Sequence, residues 1–426
     1  MLVVAVLAGC GEATLSPAIT PPPPRCVDTT ALDVLFVIDN SSRSSAMQQH
    51  FLNALPSLFE ALQNPPPHAD GTPGTPVTDL HLGVISTNIG TGPYPTSDCS
   101  VMDGDNGLLN PIRQGNATRR YLPWNQLRPG VRPSLCTNDR FQFPPFLTDT
   151  SYRSTVADEV RCMAYLGVFG CGLEQPLEAT YRALRVHDPG MRRDANDPNF
   201  GFLRPDASLL IVVVTDDDDA SIRDCRFAEA GHPCDDATSV SDLFSTRWPR
   251  QSLPERVYFY TPGGEDDPTW PIDRYVDRSN PSRGFLGLKP GHPERVAVAV
   301  WGGVPNTLPR TANGRTDWNT LLGRASDGHD AYQALSPEGP VSMRPSDGDL
   351  DCRSLPAHGC REEGTPYRAI CLDAQQRYAF RAYRLASVAR ALDEGWGTGM
   401  VTSICKSDLS ASLREAAALT RCRAPR

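Results

Sequence analysis

No run of about 18 apolar residues, the length that carries a helix across a bilayer, occurs in the chain. Nor is there a Gly-x-Ser-x-Gly elbow, a His-Glu-x-x-His pair or a phosphate-cradling glycine loop. The usual signatures of a serine hydrolase, a zinc peptidase and a nucleotide-dependent enzyme are therefore missing. Cys-x-x-Cys is absent too, which speaks against a zinc knuckle and a redox dithiol. The 8 histidines are scattered, with none at ligand spacing from another, and His358 reads as a loop residue rather than a base. No basic stripe with interleaved aromatics appears, and a net charge of −9 would repel phosphates. Nucleic acid is excluded as a partner on these grounds, and nothing specifies an enzyme.

What the chain does have begins at its N-terminus. Leu2-Val3-Val4-Ala5-Val6-Leu7-Ala8-Gly9-Cys10 is an apolar run closed by a cysteine. It resembles the lipobox of bacterial lipoproteins, although no Lys or Arg precedes it. The expectation is a signal segment over 1–10, with Cys10 lipidated and the membrane reached through that lipid. Gly11, in place of an aspartate, points to the outer membrane. Residues 11–29, with Pro21-Pro22-Pro23-Pro24, read as a stiff spacer.

Of 13 cysteines, 12 remain once Cys10 is set aside. An even number in an exported chain reads as disulfides. Proximity in sequence pairs Cys162 with Cys171, Cys225 with Cys234 and Cys352 with Cys360. Cys26 and Cys422 flank the domain and would staple its two ends.

Between 30 and 422 the pattern alternates strands and helices. Leu32–Ile38, Leu80–Ser86, Leu209–Val214, Val296–Val300 and Met400–Ile404 are apolar and rich in β-branched residues, as strands buried on both faces are. Met47, Phe51, Leu55, Leu58 and Leu62 recur at helical spacing. Further helices are expected over 152–166, 175–187, 376–393 and 409–421. The 40 prolines and 34 glycines concentrate in loop-rich insertions at about 90–150, 219–293 and 303–375. This order predicts an α/β fold, a doubly wound and mostly parallel sheet with flanking helices. Such sheets carry their sites at the carboxyl ends of the strands.

Three oxygen-rich stretches lie there: Asp39-Asn40-Ser41-Ser42-Arg43-Ser44-Ser45, Gly172-Leu173-Glu174 and Thr215-Asp216-Asp217-Asp218-Asp219. With Asp33–Ser41, Gly172–Ala179, Val214–Asp219 and Ser403-Ile404-Cys405 in this order, the chain resembles the von Willebrand factor A domain. It is most similar to the A-like lipoproteins of myxobacteria. The resemblance implies a divalent cation held by Asp-x-Ser-x-Ser, a strand-end aspartate and a threonine, and completed by a partner's carboxylate. Here Arg43 stands where the second serine belongs, and Leu173 or Glu174 where the threonine belongs. Either Arg43 neutralises Asp39 and Asp216 in a dead site, or Ser44 or Ser45 slips into place with Glu174 as an oxygen ligand. Hard oxygen donors suit Mg²⁺ or Ca²⁺.

Asp103-Gly104-Asp105-Asn106-Gly107 reads as a turn, Asp217–Asp219 as a wet loop, and Asp347-x-Asp349-x-Asp351 as a weak calcium-loop match. The expected function is a lipid-anchored envelope module that binds a protein or glycan through a degenerate metal-ion-dependent adhesion site. The alternatives are a structural envelope lipoprotein without metal and a metal-assisted envelope hydrolase.

Overall fold

The computed structural model describes residues 30–67, 71–96, 99, 101–109, 146–149, 156–186, 197–228, 238–245, 253–258, 267–323, 369–372 and 378–421. A six-stranded sheet forms its centre. The strands are β1 (Ala31–Ile38), β2 (Asp79–Ser86), β3 (Phe146–Asp149), β4 (Ser208–Val214), β5 (Val296–Gly302) and, late in the chain, β8 (Gly399–Ser403). Their spatial order is β3-β2-β1-β4-β5-β8, with every pairing parallel except β2 with β3. A mostly parallel α/β sheet is thus what the apolar runs form.

The strands pair because their residues suit burial on both faces. Alternation along β1 sends Leu32, Val34, Phe36 and Ile38 to one face and Leu35 and Val37 to the other, all essentially without solvent contact. The first face is covered by α1 (Ser45–Ala54), α2 (Pro56–Gln63), α3 (Val156–Ala164) and α9 (Ser410–Leu419). On the second lie α4 (Pro176–Tyr181), α7 (Trp318–Leu322) and α8 (Tyr383–Trp396). The single helix expected from Met47 to Leu62 breaks at Leu55, because Pro56 has no N–H to continue the ladder.

Two elements were not expected. β3 is a four-residue antiparallel edge strand inside a loop-rich stretch. A hairpin of β6 (Ala369–Leu372) and β7 (Tyr378–Phe380) falls partly where helix was expected. The helix there starts only at Tyr383. The 219–293 insertion carries α5 (Thr238–Leu243) and α6 (Leu253–Tyr258). Val240 and Leu243 of α5 join Cys99, Cys171, Leu173, Ala220 and Ile222 in a small third core.

The disulfides correct one sequence pairing. Cys171 is bonded to Cys99, 72 residues away, not to Cys162. Nine residues of sequence separation had suggested Cys162, but the fold turns Cys171 toward the small third core, where Cys99 lies. Cys162 and Cys225 are each disulfide-bonded. Cys371 is bonded to Cys405, tying the hairpin to the end of β8. Cys10, Cys26, Cys234, Cys352, Cys360 and Cys422 lie outside the described residues, as does Asp347–Asp351. No helix among the described residues is long and apolar enough to cross a membrane.

Register fixes what meets at the strand ends. Ile38 pairs with Ser86 on one side and Val214 on the other, and Val214 with Trp301. Residues 87, 39 and 215 therefore emerge side by side. The chain winds outward from β1 through β2 to β3 and returns beside β1 as β4. The sheet order thus reverses between β1 and β4, where open α/β sheets leave a crevice for ligands.

Candidate functional site

Asp39 is fully buried at that crevice. Its Oδ1 accepts the Ser41 backbone N–H (2.8 Å), which closes the turn after β1. Its Oδ2 accepts the Thr215 hydroxyl (2.9 Å) and lies 3.4 Å from the Asp216 backbone N–H. The strand ends of β1 and β4 thus share one carboxylate.

Glu174 reaches the same place from the α3–α4 turn. Three backbone bonds seat that turn: Gly170 N–H to the Asn40 carbonyl (2.7 Å), Gln175 N–H to the Thr87 carbonyl (3.2 Å) and Ala220 N–H to the Glu174 carbonyl (2.7 Å). Gln48 of α1 adds a side-chain clamp, donating to Gly167 O (2.8 Å) and accepting from Leu166 N–H (3.0 Å). Gly170 must be glycine, since a Cβ would collide with the Asn40 carboxamide. Thr87, at the end of β2, donates its hydroxyl to Glu174 Oε2.

Several buried oxygens of this rim have no hydrogen-bond partner: Ser41 Oγ, Glu174 Oε1 and Asp216 Oδ1, together with both polar atoms of the Asn40 side chain. Buried polar atoms are rarely left so. Burial, and then the charge of Asp39, push the Glu174 pKa well above its ordinary value; Asp217 and Asp216 add to the rise. Asp216 is raised for the same first two reasons, with Asp217 adding and Arg43 opposing. The carboxyls of 39, 174 and 216 therefore repel one another at short range in a poorly solvated place.

Arg43 does not lie among them. Its guanidinium pairs with Asp217 (3.3 Å) and rests over the rings of Tyr378 and Phe380 at 5.7 and 5.5 Å. Ser44 is also otherwise engaged: its hydroxyl donates to Ser41 O (2.9 Å) and accepts from Gln48 (2.8 Å). Ser45 hydrogen-bonds the Tyr165 hydroxyl (2.9 Å). Neither serine has slipped into the position vacated by Arg43.

The acidic run after β4 is not a wet loop. Asp217 and Asp219 are buried. Asp218 accepts Arg384 N–H (3.0 Å) at the start of α8, and its pKa is pushed up to about 6 by burial. Asp219 receives Leu177 N–H (2.9 Å) at the start of α4 and Arg384 Nε (3.0 Å). These two carboxylates anchor helix starts. Asp103–Gly107 forms the expected turn, with Asn106 N–H bonded to Asp103 O (2.9 Å).

The rim collects Asp39, Ser41, Glu174 and Asp216 as the strand-end argument required. Asn40 belongs to the first of the oxygen-rich stretches, whereas Thr87 was missed. Thr87 follows the second strand directly, so the same argument applied to that strand would have found it. Among the described residues no three His, Cys, Asp or Glu side chains are grouped closely enough to hold a metal ion by themselves. A hydroxyl such as that of Ser41 has to complete any coordination. The donor set fits a hard cation: it is all oxygen, largely anionic, and has lone pairs without donors. Compared with protein-family models, with curated proteins and with solved structures, the chain matches none.

Proposed function

We propose that this chain is a lipid-anchored bacterial envelope protein whose von Willebrand A-like domain binds a partner at the carboxyl ends of its strands. The observation that carries this reading is the set of unpartnered buried oxygens on Ser41, Glu174 and Asp216 beside Asp39. In this reading Mg²⁺ or Ca²⁺ would be held by Asp39, Ser41 and Asp216, with the Glu174 carboxylate closing on the cation when it binds, and the cation would supply an electrophilic position for an acidic oxygen of a protein or glycan. Asp39 organises the others, because its two oxygens fix the Ser41 turn and the Thr215–Asp216 backbone. The topological reversal between β1 and β4, together with the single antiparallel edge strand, supports the A-like architecture. The activity in this reading is binding.

A second reading, a structural envelope lipoprotein without metal, is favoured by Arg43. Its pairing with Asp217 sets an internal cation beside the rim, and the raised carboxyls would then share protons. Calorimetry with Mg²⁺ and Ca²⁺ on the wild type and Asp39→Ala separates the two. Saturable binding lost in the variant is expected, and no heat in the wild type would select the second reading. A pull-down from envelope extract with and without chelator then asks for a partner whose capture needs the cation.

A further inference from the structure

Glu174 differs from the other rim oxygens in its support. Asp39, Ser41 and Asp216 hang directly on the ends of β1 and β4, whereas Glu174 stands on a turn. That turn is held at several points by described residues that follow β2. Thr87 donates to Glu174 Oε2, Gln175 Nε2 donates to Gly90 O (2.5 Å), and Cys171 is bonded to Cys99. The disulfide lies three residues from Glu174 and is buried, its cysteines 3% and 2% exposed. Leu173 N–H points at Cys171 Sγ (3.4 Å). Leu173 is completely buried between disulfide and glutamate, in the small core that also holds Ala220 and Ile222. Among the described residues that core has seven buried members with Tyr94, Phe244, Leu253 and Val257 packed on it, far fewer than either face of the sheet, so the covalent link contributes much to its order.

We infer that the Cys99–Cys171 disulfide is the positioning element of the rim: it holds Glu174 at the crevice, so the cation site is assembled only in the oxidised chain. In a reducing compartment a dithiol would deliver two electrons and two protons to this bond, becoming a disulfide itself and leaving two thiols. The segment after β2 and the α3–α4 turn would then be joined only by hydrogen bonds and the small third core, and Glu174 would leave a place where burial and three neighbouring carboxylates disfavour it. The unexported chain would thus be blind to the cation and to any partner that needs it. The inference rests on the cation reading above, and it adds a condition that the strand-end residues do not impose.

The test uses Mn²⁺ alone as the probe, on the full exported chain freed of metal. Cys99→Ser/Cys171→Ser is expected to bind it at least tenfold more weakly than wild type. In metal-free protein, amide exchange at Gly170 and Gln175 is expected to speed up in the same variant, a readout independent of any cation. Leu62→Ala, which opens a cavity at the end of α2 beside the start of β2 and away from the rim, is expected to keep wild-type affinity within threefold even if its melting temperature falls. Wild-type affinity in a folded Cys99→Ser/Cys171→Ser chain overturns the inference while leaving the function intact. An equal loss in Leu62→Ala also overturns it, since the effect would then be general destabilisation. No binding by the wild type overturns the function itself. Should the Cys99/Cys171 variant fail to fold, wild-type protein is titrated with a dithiol and the bond's occupancy mapped by mass spectrometry. Mn²⁺ capacity must fall in step with that occupancy, and capacity independent of it rejects the inference.

Discussion

Strand β1 carries a buried aspartate near each end, and the two are treated in opposite ways. Near its start, Asp33 accepts Arg204 N–H and Nε, both at 2.8 Å, and lies 3.4 Å from Lys289 Nζ. Arg204 also pairs with Asp79 (2.6 Å). Two carboxylates thus meet two cations. Just beyond the other end, the donors reaching Asp39 are all neutral, and its anionic neighbours are Asp216 and Glu174. A third buried carboxylate, Glu178, follows the first pattern, with Arg274 (3.0 Å), Arg182 (3.6 Å) and the Tyr275 hydroxyl (3.1 Å). Where the fold needs a buried carboxylate for its own sake, it brings the counter-ion from within the chain. At the rim between β1 and β4 it brings more carboxylates, and in the proposed reading a cation from solution completes the set.

The comparison is broken most forcefully by exchanging the two aspartates' fates. Asp33→Asn leaves the buried charge of Lys289 without its carboxylate and Arg204 with Asp79 alone, and is expected to cost about 3–5 kcal/mol in denaturant unfolding. Asp39→Asn relieves repulsion, so the metal-free chain is expected to unfold within about 1 kcal/mol of wild type, or later. A heavy loss at both positions would erase the distinction.

Cation addition comes next in size. Saturating Mg²⁺ or Ca²⁺, at about 100 times the dissociation constant, is expected to stabilise wild type by about 2.7 kcal/mol. Asp216→Asn is expected to lose that gain, whereas Asp33 variants that remain folded should keep it. Chemical unfolding with and without chelator measures both.

The pH dependence of the metal-free chain sharpens the contrast. Glu174 and Asp216 are raised well above their ordinary values, and Asp218 to about 6. The folded state therefore binds more protons than the unfolded one between pH 4 and 6, judged from Asp218. Stability should then rise as pH falls from 7 toward 5, contrary to ordinary acid denaturation. Melting curves with saturating Mg²⁺ should show the slope flattened or reversed, because the cation favours the ionised forms. The smallest effect belongs to Arg43→Ala. Its pair with Asp217 is about half-exposed on the arginine side, so the loss in a melt should be about 0–1 kcal/mol. A loss of several kcal/mol would make Arg43 the internal counter-ion of the rim after all.

Much of this was legible in the residues. Leu209–Val214 can hardly be anything but a buried strand, and the strand-end rule then led to Asp39 and Asp216. What escaped has physical causes. β3 offers four residues, Phe146-Leu147-Thr148-Asp149, too few for a period to show, and β7 only three. The partner of Cys171 was misread because nearness in sequence says little once a loop folds over a sheet edge. The engagement of Ser44 and the displacement of Arg43 toward Tyr378 depend on tertiary neighbours that no spacing encodes.

Diffraction from crystals grown with Mn²⁺, recorded at the manganese edge, tests the central claim most directly. An anomalous peak bounded by Ser41, Glu174 and Asp216, and absent from Asp216→Asn crystals, is the predicted result. A rim with no such peak, its carboxyls sharing protons or water while manganese is abundant in the mother liquor, would contradict the account.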